Sequence, residues 1–115
     1  MLAVKHALGL LETTGLTPAM VAIDAMIKAA TVRVLQVELN DLYGVCAKIT
    51  GSVADVQTAI QHGRNIAEQM QGRPVTSVIT QPESSAWTAL YSQDEFNPLI
   101  QQSVVFDGDA VGAYW

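Results

Sequence analysis

The residues best able to do chemistry in this sequence are one cysteine and two histidines. Cys46 lies in a strand-like run, and His6 and His62 stand far from it and from each other. Neither histidine has a cysteine or a carboxylate at metal-ligand spacing, so we expect no metal or cofactor site. We interpret Cys46 as a small buried hydrophobic residue of a protein in a reducing compartment. The alternative is a cluster ligand that finds its partners only by oligomerisation.

Nucleophilic catalysis needs a hydroxyl or thiol beside a base that a third group orients. Ser52 and Ser77 have no such base beside them, and the sequence contains no phosphate-binding glycine loop and no His-Glu-x-x-His motif. Asp41 beside Asn40 offers one carboxylate per chain for a cation or polar ligand, but the same pair is typical of a tight turn. The sequence therefore predicts no catalytic residues and no enzymatic activity.

Charge and aromatic residues divide the chain near Pro82. Residues 1–82 contain six acidic and six basic residues, whereas residues 83–115 contain five acidic residues and no lysine or arginine. The second segment also holds six of the seven aromatic residues. We predict one domain over residues 1–82 and an acidic, aromatic extension over residues 83–115. Nucleic-acid binding needs clustered lysine and arginine, so we expect no nucleic-acid partner.

The hydropathy pattern bears on membranes and export. Half of the 115 residues are hydrophobic, which is enough to build a core. No apolar run reaches the roughly 18 residues that a membrane-spanning helix needs. The start of the sequence lacks a signal-peptide pattern. We therefore expect neither a membrane partner nor export.

The first part of the chain predicts a strand and a helix. A short apolar run predicts a strand over residues 6–12. Thr17 and Pro18 suit the N-cap and the first position of a helix that continues over residues 19–29. That helix is apolar nearly all round, with only Asp24 and Lys28 charged. Such a helix is buried on more than one face, which in a small chain indicates a subunit contact.

The remaining segments complete a βαββαβ order. Runs over residues 32–38, 44–50 and 75–80 predict strands. Ser52 with Asp55 predicts the capped start of a second, amphipathic helix, which ends around residues 71–74 with Gly and Pro as stop signals. This order predicts an α+β, ferredoxin-like fold, in which both helices cover one face of an antiparallel four-stranded sheet, plus a C-terminal extension.

The reversal between the second and third strands has unusual residues. It reads ELNDLYG over residues 38–44, and the Asn40-Asp41 pair has turn chemistry. Ordinary hairpin tips are Asn-Gly or Asp-Gly, but here the pair is followed by the bulky Leu42 and Tyr43. Their size raises the question of what the loop tip faces.

Several segments resemble a known family. ALGLLETTGL over residues 7–16 resembles the opening strand of bacterial microcompartment shell proteins, and DAMIKAA over residues 24–30 resembles their first-helix motif. VCAKITG followed by SVADV, over residues 45–56, resembles their third strand and the start of their second helix. The resemblance covers about residues 5–82, and it is to the single-domain, hexamer-forming class of BMC-domain proteins.

This resemblance implies a structural role. Homohexamers would tile, with other shell proteins, into a polyhedral shell that encloses enzymes in the bacterial cytoplasm. Lys28 matches the family's lysine at the contact between hexamers, and Gln81 stands where the family usually has an arginine. The loop between the second and third strands would line a pore for small metabolites, and its residues are Asn40, Asp41, Leu42 and Tyr43.

The large loop residues lead to a hypothesis about that pore. The family commonly has a glycine-rich turn there, whereas six copies of Leu42 and Tyr43 would narrow the opening. Six Asp41 carboxylates would repel by about 1 kcal/mol per pair at close range in water. We therefore expect a constricted pore, with Asp41 turned into solvent, paired with Asn40 or a backbone amide, or bound to a cation.

The extension allows two interpretations. Residues 83–91 predict a short helix capped by Ser84 or Ser85, and turns and a short strand follow over residues 97–109. The extension either packs on its own or a neighbouring subunit, or offers a docking surface for encapsulated enzymes or other shell proteins.

A second function class fits the same fold. A small-molecule-binding regulatory domain of ferredoxin-like fold also forms symmetric oligomers. It would differ from a shell tile by forming smaller oligomers and by ligand-dependent melting.

Overall fold

The computed structural model describes residues 6–40 and 44–91, the last three of them by backbone alone. The chain divides between Pro82 and Glu83 into two units. The first unit contains six elements in the order βαββαβ: β1 (Ala7–Thr14), α1 (Leu16–Ala29), β2 (Arg33–Leu39), β3 (Gly44–Gly51), α2 (Val53–Gln69) and β4 (Val75–Ile79). The second unit contains α3 (Ser84–Tyr91).

The sheet has four antiparallel strands in the order β2-β3-β1-β4. Successive side chains of a strand point to opposite faces, and one face of this sheet packs against α1 and α2. Leu11 of β1 and Ile49 of β3 are fully buried there and share a core with Met26 of α1 and with Val56 and Ile60 of α2. The predicted ferredoxin-like fold is confirmed, and each predicted strand boundary lies within two residues of the observed one.

The start of α1 differs from the prediction. The helix begins at Leu16, and Gly15 occupies the N-cap position with φ 97° and no side-chain cap bond. Thr17 is therefore not the N-cap, and Pro18 lies at the third helical position. A proline is tolerated there because the first four N–H groups of a helix have no partner within it. The positive φ of Gly15 lets the chain turn directly from β1 into α1.

One face of α1 is buried within the subunit, and the face beside it is exposed and apolar. Ala22 and Met26 are fully buried. Leu16, Met20 and Ile27, which together we call the α1 stripe, are 50–56% exposed. The second buried face that the sequence predicts is thus not formed within one subunit, and its burial against another subunit stays a prediction.

The start of α2 is as predicted. Ser52 Oγ accepts a hydrogen bond from the Asp55 N–H at 3.1 Å and donates one to Asp55 Oδ2 at 3.0 Å. The predicted N-cap at Ser52 is confirmed, and the Asp55 carboxylate accepts from the Ser52 hydroxyl.

The end of α2 has a different cause from the one expected. The two residues with left-handed φ are Gln71 at 60° and Arg73 at 50°, rather than the glycine between them. Gly72 is buried, and a Cβ atom there would lie 2.6 Å from Pro18 Cβ. Gly72 is therefore required for the close approach of the chain to α1.

The second unit is described through α3. The Glu83 carbonyl accepts hydrogen bonds from the N–H groups of Ala86 and Trp87 at 2.9 and 3.2 Å. Ser84 is the first helical residue, so the predicted cap at Ser84 or Ser85 is wrong. The turns and strand predicted over residues 97–109 lie outside the described residues. In the part of the chain that the structure describes, no helix is long and apolar enough to cross a membrane.

Candidate functional site

The loop between β2 and β3 is the first candidate site, and the structure describes its two ends. Asp41, Leu42 and Tyr43 lie outside the described residues. At the ends, the Asn40 N–H donates to the Gly44 carbonyl at 2.9 Å, and the Gly44 N–H donates to Asn40 Oδ1 at 2.9 Å. Asn40 and Gly44 are therefore joined by two hydrogen bonds in opposite directions.

The Asn40 side chain also reaches a third element. Its Nδ2 donates to Glu12 Oε2 on β1 at 2.7 Å, a short bond of the kind that a carboxylate acceptor forms. Asn40 is a site residue that the sequence predicts, whereas nothing in the sequence predicts a role for Glu12. The one available signal was a charged residue in an otherwise apolar strand, and it does not identify a partner 28 residues away.

Polar residues occupy the sheet face opposite α1 and α2. Lys48 of β3 donates to Gln36 Oε1 at 2.8 Å and to Glu38 Oε1 at 3.0 Å, both on β2. The Lys48 side chain is 16% exposed. Across the sheet, Cys46 lies opposite Glu38 on one side and opposite Glu12 on the other. These side chains form a row that leads to the base of the loop.

Cys46 is only partly buried, so the prediction of a buried core residue is wrong. Its neighbours Val45 and Ala47 point into the core and are 1% exposed. The alternation of a strand therefore turns Cys46 to the opposite, polar face. Burial is the main cause that raises the pKa of the Cys46 thiol; Lys48 lowers it, whereas Glu12 and Glu38 raise it further.

Cys46 is accordingly expected to react slowly with alkylating reagents. Because the thiolate is the reactive form, a raised pKa leaves less of it at pH 8 in the folded protein than in the unfolded chain. Iodoacetamide labelling followed by mass spectrometry should be slower for folded than for urea-unfolded protein, and the folded rate should rise with pH. Lys48→Met should slow labelling further, because it removes the charge that lowers the pKa. Labelling as fast as in urea would contradict this account.

The remaining candidates for chemistry stay apart. His6, His62 and Ser77 are exposed, and Ser52 is engaged in capping α2. Within residues 6–40 and 44–91, no group of three or more His, Cys, Asp or Glu side chains could hold a metal ion.

The BMC domain family model matches residues 7–82, which span β1 to the end of the first unit. The chain belongs to the BMC domain family. This result agrees with the resemblance in β1, α1 and the start of α2.

Relatives of this BMC-domain chain are shell proteins. Bacterial microcompartment shell protein PduK of Salmonella typhimurium is 44% identical over 80 residues, which are 69% of this chain and 50% of PduK. Major carboxysome shell protein CsoS1 of Prochlorococcus marinus is 35% identical over 89 residues, which are 76% of this chain and 86% of CsoS1. The chain thus spans about half the length of PduK, and these relatives support a structural shell role.

A solved structure shows the same fold. It is a microcompartment protein from Desulfitobacterium hafniense DCB, with a TM-score of 0.68 and 25% sequence identity. The match covers 76% of this chain and 47% of the other.

The two residues predicted at the hexamer edge are exposed in the BMC-domain chain. Lys28, in the last turn of α1, forms an ion pair with Asp24 at 2.8 Å, and the two side chains are 74% and 61% exposed. Gln81 follows β4 and is also exposed. Within the described residues, no hydrogen bond or ion pair joins Lys28 to Gln81.

Proposed function

We propose that this BMC-domain chain is a structural tile of a bacterial microcompartment shell. It forms homohexamers that assemble with other shell proteins in the bacterial cytoplasm around a set of enzymes. The observation that carries the proposal is the family match over residues 7–82, the whole βαββαβ unit. The tile has no enzymatic activity of its own.

The α1 stripe supports the assembly part of this proposal. Its three side chains are each at least half exposed in the single subunit. Their spacing of four and seven residues places them on one line of the helix. Burial of a large apolar side chain contributes about 1.5–3 kcal/mol, so contact with a neighbouring subunit would stabilise the oligomer.

The proposed pore lies at the loop between β2 and β3. Asn40, Asp41, Leu42 and Tyr43 line it, and Leu42 and Tyr43 constrict it. The size of these two side chains, compared with the glycine-rich turn that the family commonly has, supports a narrow opening. A structure of the assembled protein would test the constriction. An axial channel wide enough for a hydrated metabolite would refute it.

The assembly proposal has a direct test in electron microscopy of the concentrated protein. A shell tile should form sheets or tubes of six-fold discs at high concentration. A regulatory oligomer of the same fold should instead remain as small particles, and its melting temperature should rise with a small-molecule ligand.

Lys28→Ala is expected to abolish sheets and tubes while leaving hexamers intact. Among the residues that the structure describes, Lys28 pairs with Asp24 at the surface, and such i,i+4 pairs contribute about 0.3–0.5 kcal/mol. Stability should therefore hardly change, and a loss of lateral assembly would report the contact between hexamers. Sheet formation by electron microscopy and hexamer content by size-exclusion chromatography measure the two effects separately.

Arg64→Ala is a control for this substitution, and it also removes the hydrogen bond that Arg64 donates to Thr76 Oγ1 of β4 at 3.1 Å. Arg64 and Glu68 of α2 form another exposed i,i+4 ion pair, at 3.4 Å. Because neither residue is proposed at the hexamer edge, Arg64→Ala should leave the sheets intact. If Lys28→Ala forms sheets at the same concentration as the unaltered protein, Lys28 is not an edge contact.

The extension over residues 83–115 has one of two proposed roles. Either it packs on its own or a neighbouring subunit, or it offers a docking surface to encapsulated enzymes or other shell proteins. Its six aromatic residues suit both roles, since aromatic side chains anchor interfaces. Deleting residues 93–115 distinguishes them: loss of hexamers indicates packing on a subunit, and loss of enzyme recruitment with hexamers intact indicates docking.

A further inference from the structure

We propose that Glu12, Asn40 and Gly44 form a clamp that positions both ends of the loop over residues 41–43 relative to β1. In this assignment Glu12 is a positioning residue for the loop, although it lies in a different strand. The consequence for the pore rests on the proposed function. The clamp itself does not, because all three residues belong to one subunit and are in contact there.

The clamp joins three strands through one side-chain amide. Asn40 Oδ1 accepts from the Gly44 N–H at 2.9 Å, and Asn40 Nδ2 donates to Glu12 Oε2 at 2.7 Å. The Asn40 side-chain amide therefore accepts a hydrogen bond from β3 and donates one to β1. The Asn40 backbone directly follows β2. An aspartate could not donate to Glu12, and an alanine could make neither bond.

Gly44 is a steric requirement of the clamp. A Cβ atom at this position would lie 2.6 Å from Asn40 Nδ2 and 2.9 Å from Asn40 Oδ1. Among the described glycines only Gly15 has a positive φ, so the Gly44 backbone itself accepts an alanine. Gly44→Ala would therefore displace the Asn40 amide without straining the strand.

The clamp fixes the positions of the two loop ends, Asn40 and Gly44, within the single subunit, before any oligomer forms. Gly44 is paired with Thr14 in the sheet register, two residues beyond Glu12. β1 is hydrogen-bonded on both sides, to β3 and β4, and is a rigid reference for the loop. Each loop of a ring would thus start and end at the same place in every subunit. Loss of the clamp would free the loop ends without unfolding the core.

The test compares hydrogen exchange of the backbone amide at position 44, by NMR on the 115-residue chain, across five variants. Asn40→Ala, Glu12→Ala and Gly44→Ala should each speed exchange roughly tenfold, which is the effect expected from losing a hydrogen bond that a charged partner supports. Asn40→Asp should speed exchange by a smaller factor, because its carboxylate still accepts from the Gly44 N–H but repels the Glu12 carboxylate. Chymotrypsin cleavage after Leu42 or Tyr43 should accelerate in parallel.

The decisive variant exchanges the carboxylate of Glu12 with the side-chain amide of Asn40. Glu12→Gln combined with Asn40→Asp restores a donor facing an acceptor, and the new carboxylate still accepts from the Gly44 N–H. Slow exchange should return in this double variant. Because both substitutions keep the shape of the side chains, a purely steric role predicts slow exchange in Asn40→Asp alone as well as in the double variant, whereas the clamp predicts it only in the double variant.

Failure of the clamp can be told apart from failure of the proposed function. Exchange of the Gly44 amide that is unchanged in Glu12→Ala, or not rescued in the double variant, would overturn the clamp. The mass of the oligomer, measured on the same samples, judges the shell-tile proposal. If the protein does not form hexamers but slow exchange returns in the double variant, the clamp proposal stands and the pore proposal fails.

Discussion

Leu11→Ala is expected to lower the free energy of unfolding by about 2–5 kcal/mol. Leu11 lies in β1 at the centre of the sheet, is fully buried, and is among the largest buried side chains of the described residues. It lies beneath the contact between the helices, since a Cβ atom at Gly63 of α2 would meet both Leu11 and Met26. Truncation leaves a cavity that these packed elements can fill only partly.

Leu11→Met is the control for this prediction. It keeps nearly the same volume at the same site, and such swaps usually cost less than about 1.5 kcal/mol. Urea unfolding of both variants at one protein concentration measures the difference, because the stability of an oligomer depends on concentration. If Leu11→Ala costs less than about 1 kcal/mol, Leu11 is not at the centre of the core.

Gly9→Ala is expected to destabilise the protein by about 1–3 kcal/mol, the usual cost of overpacking a core. Alanine normally stabilises a strand relative to glycine by roughly 0.5–1 kcal/mol, so the predicted sign is reversed here. A Cβ atom at Gly9 would lie 2.8 Å from a Val56 methyl group and 2.9 Å from carbons of Ile49 and Ile60. β-branched side chains are restricted at χ1 and cannot easily move away.

The double variant Gly9→Ala with Val56→Ala tests this cause. Val56→Ala removes the atom closest to the new methyl group, and the new methyl group fills part of the space left behind. The two substitutions together should therefore cost less than the sum of their separate costs, with a coupling of about 0.5–3 kcal/mol. Additive costs, or a stabilising Gly9→Ala, would contradict the close packing of α2 on β1.

Local signals in the sequence were sufficient to predict the order of the strands and helices and the four-stranded sheet. The β-branched run of β2 and the capping residue Ser52 act within a few residues, and both predictions are confirmed. The start of α1 was wrong because two signals compete there. Thr17 is the better N-cap by residue type, but the turn out of β1 uses the positive φ of Gly15.

The polar contacts around the loop could not be predicted, because they depend on strand register. Glu12 and Asn40 are 28 residues apart, and they meet only because β1 pairs with β3 and β2 flanks β3 on its other side. The partial exposure of Cys46 has the same origin. Its face is decided by the alternation of a strand whose register is set across the sheet. Resemblance to a family singled out the loop as a candidate site, but it did not point to Glu12.

The most direct test of the central claim is the mass of the assembled 115-residue chain by native mass spectrometry. If the chain is a hexameric shell tile, the dominant species should have six times the 12.3 kDa mass of the single chain. This species should be present at low ionic strength and at high protein concentration. A monomer, dimer or tetramer as the dominant species throughout that range would contradict the assignment of this chain as a hexameric shell tile.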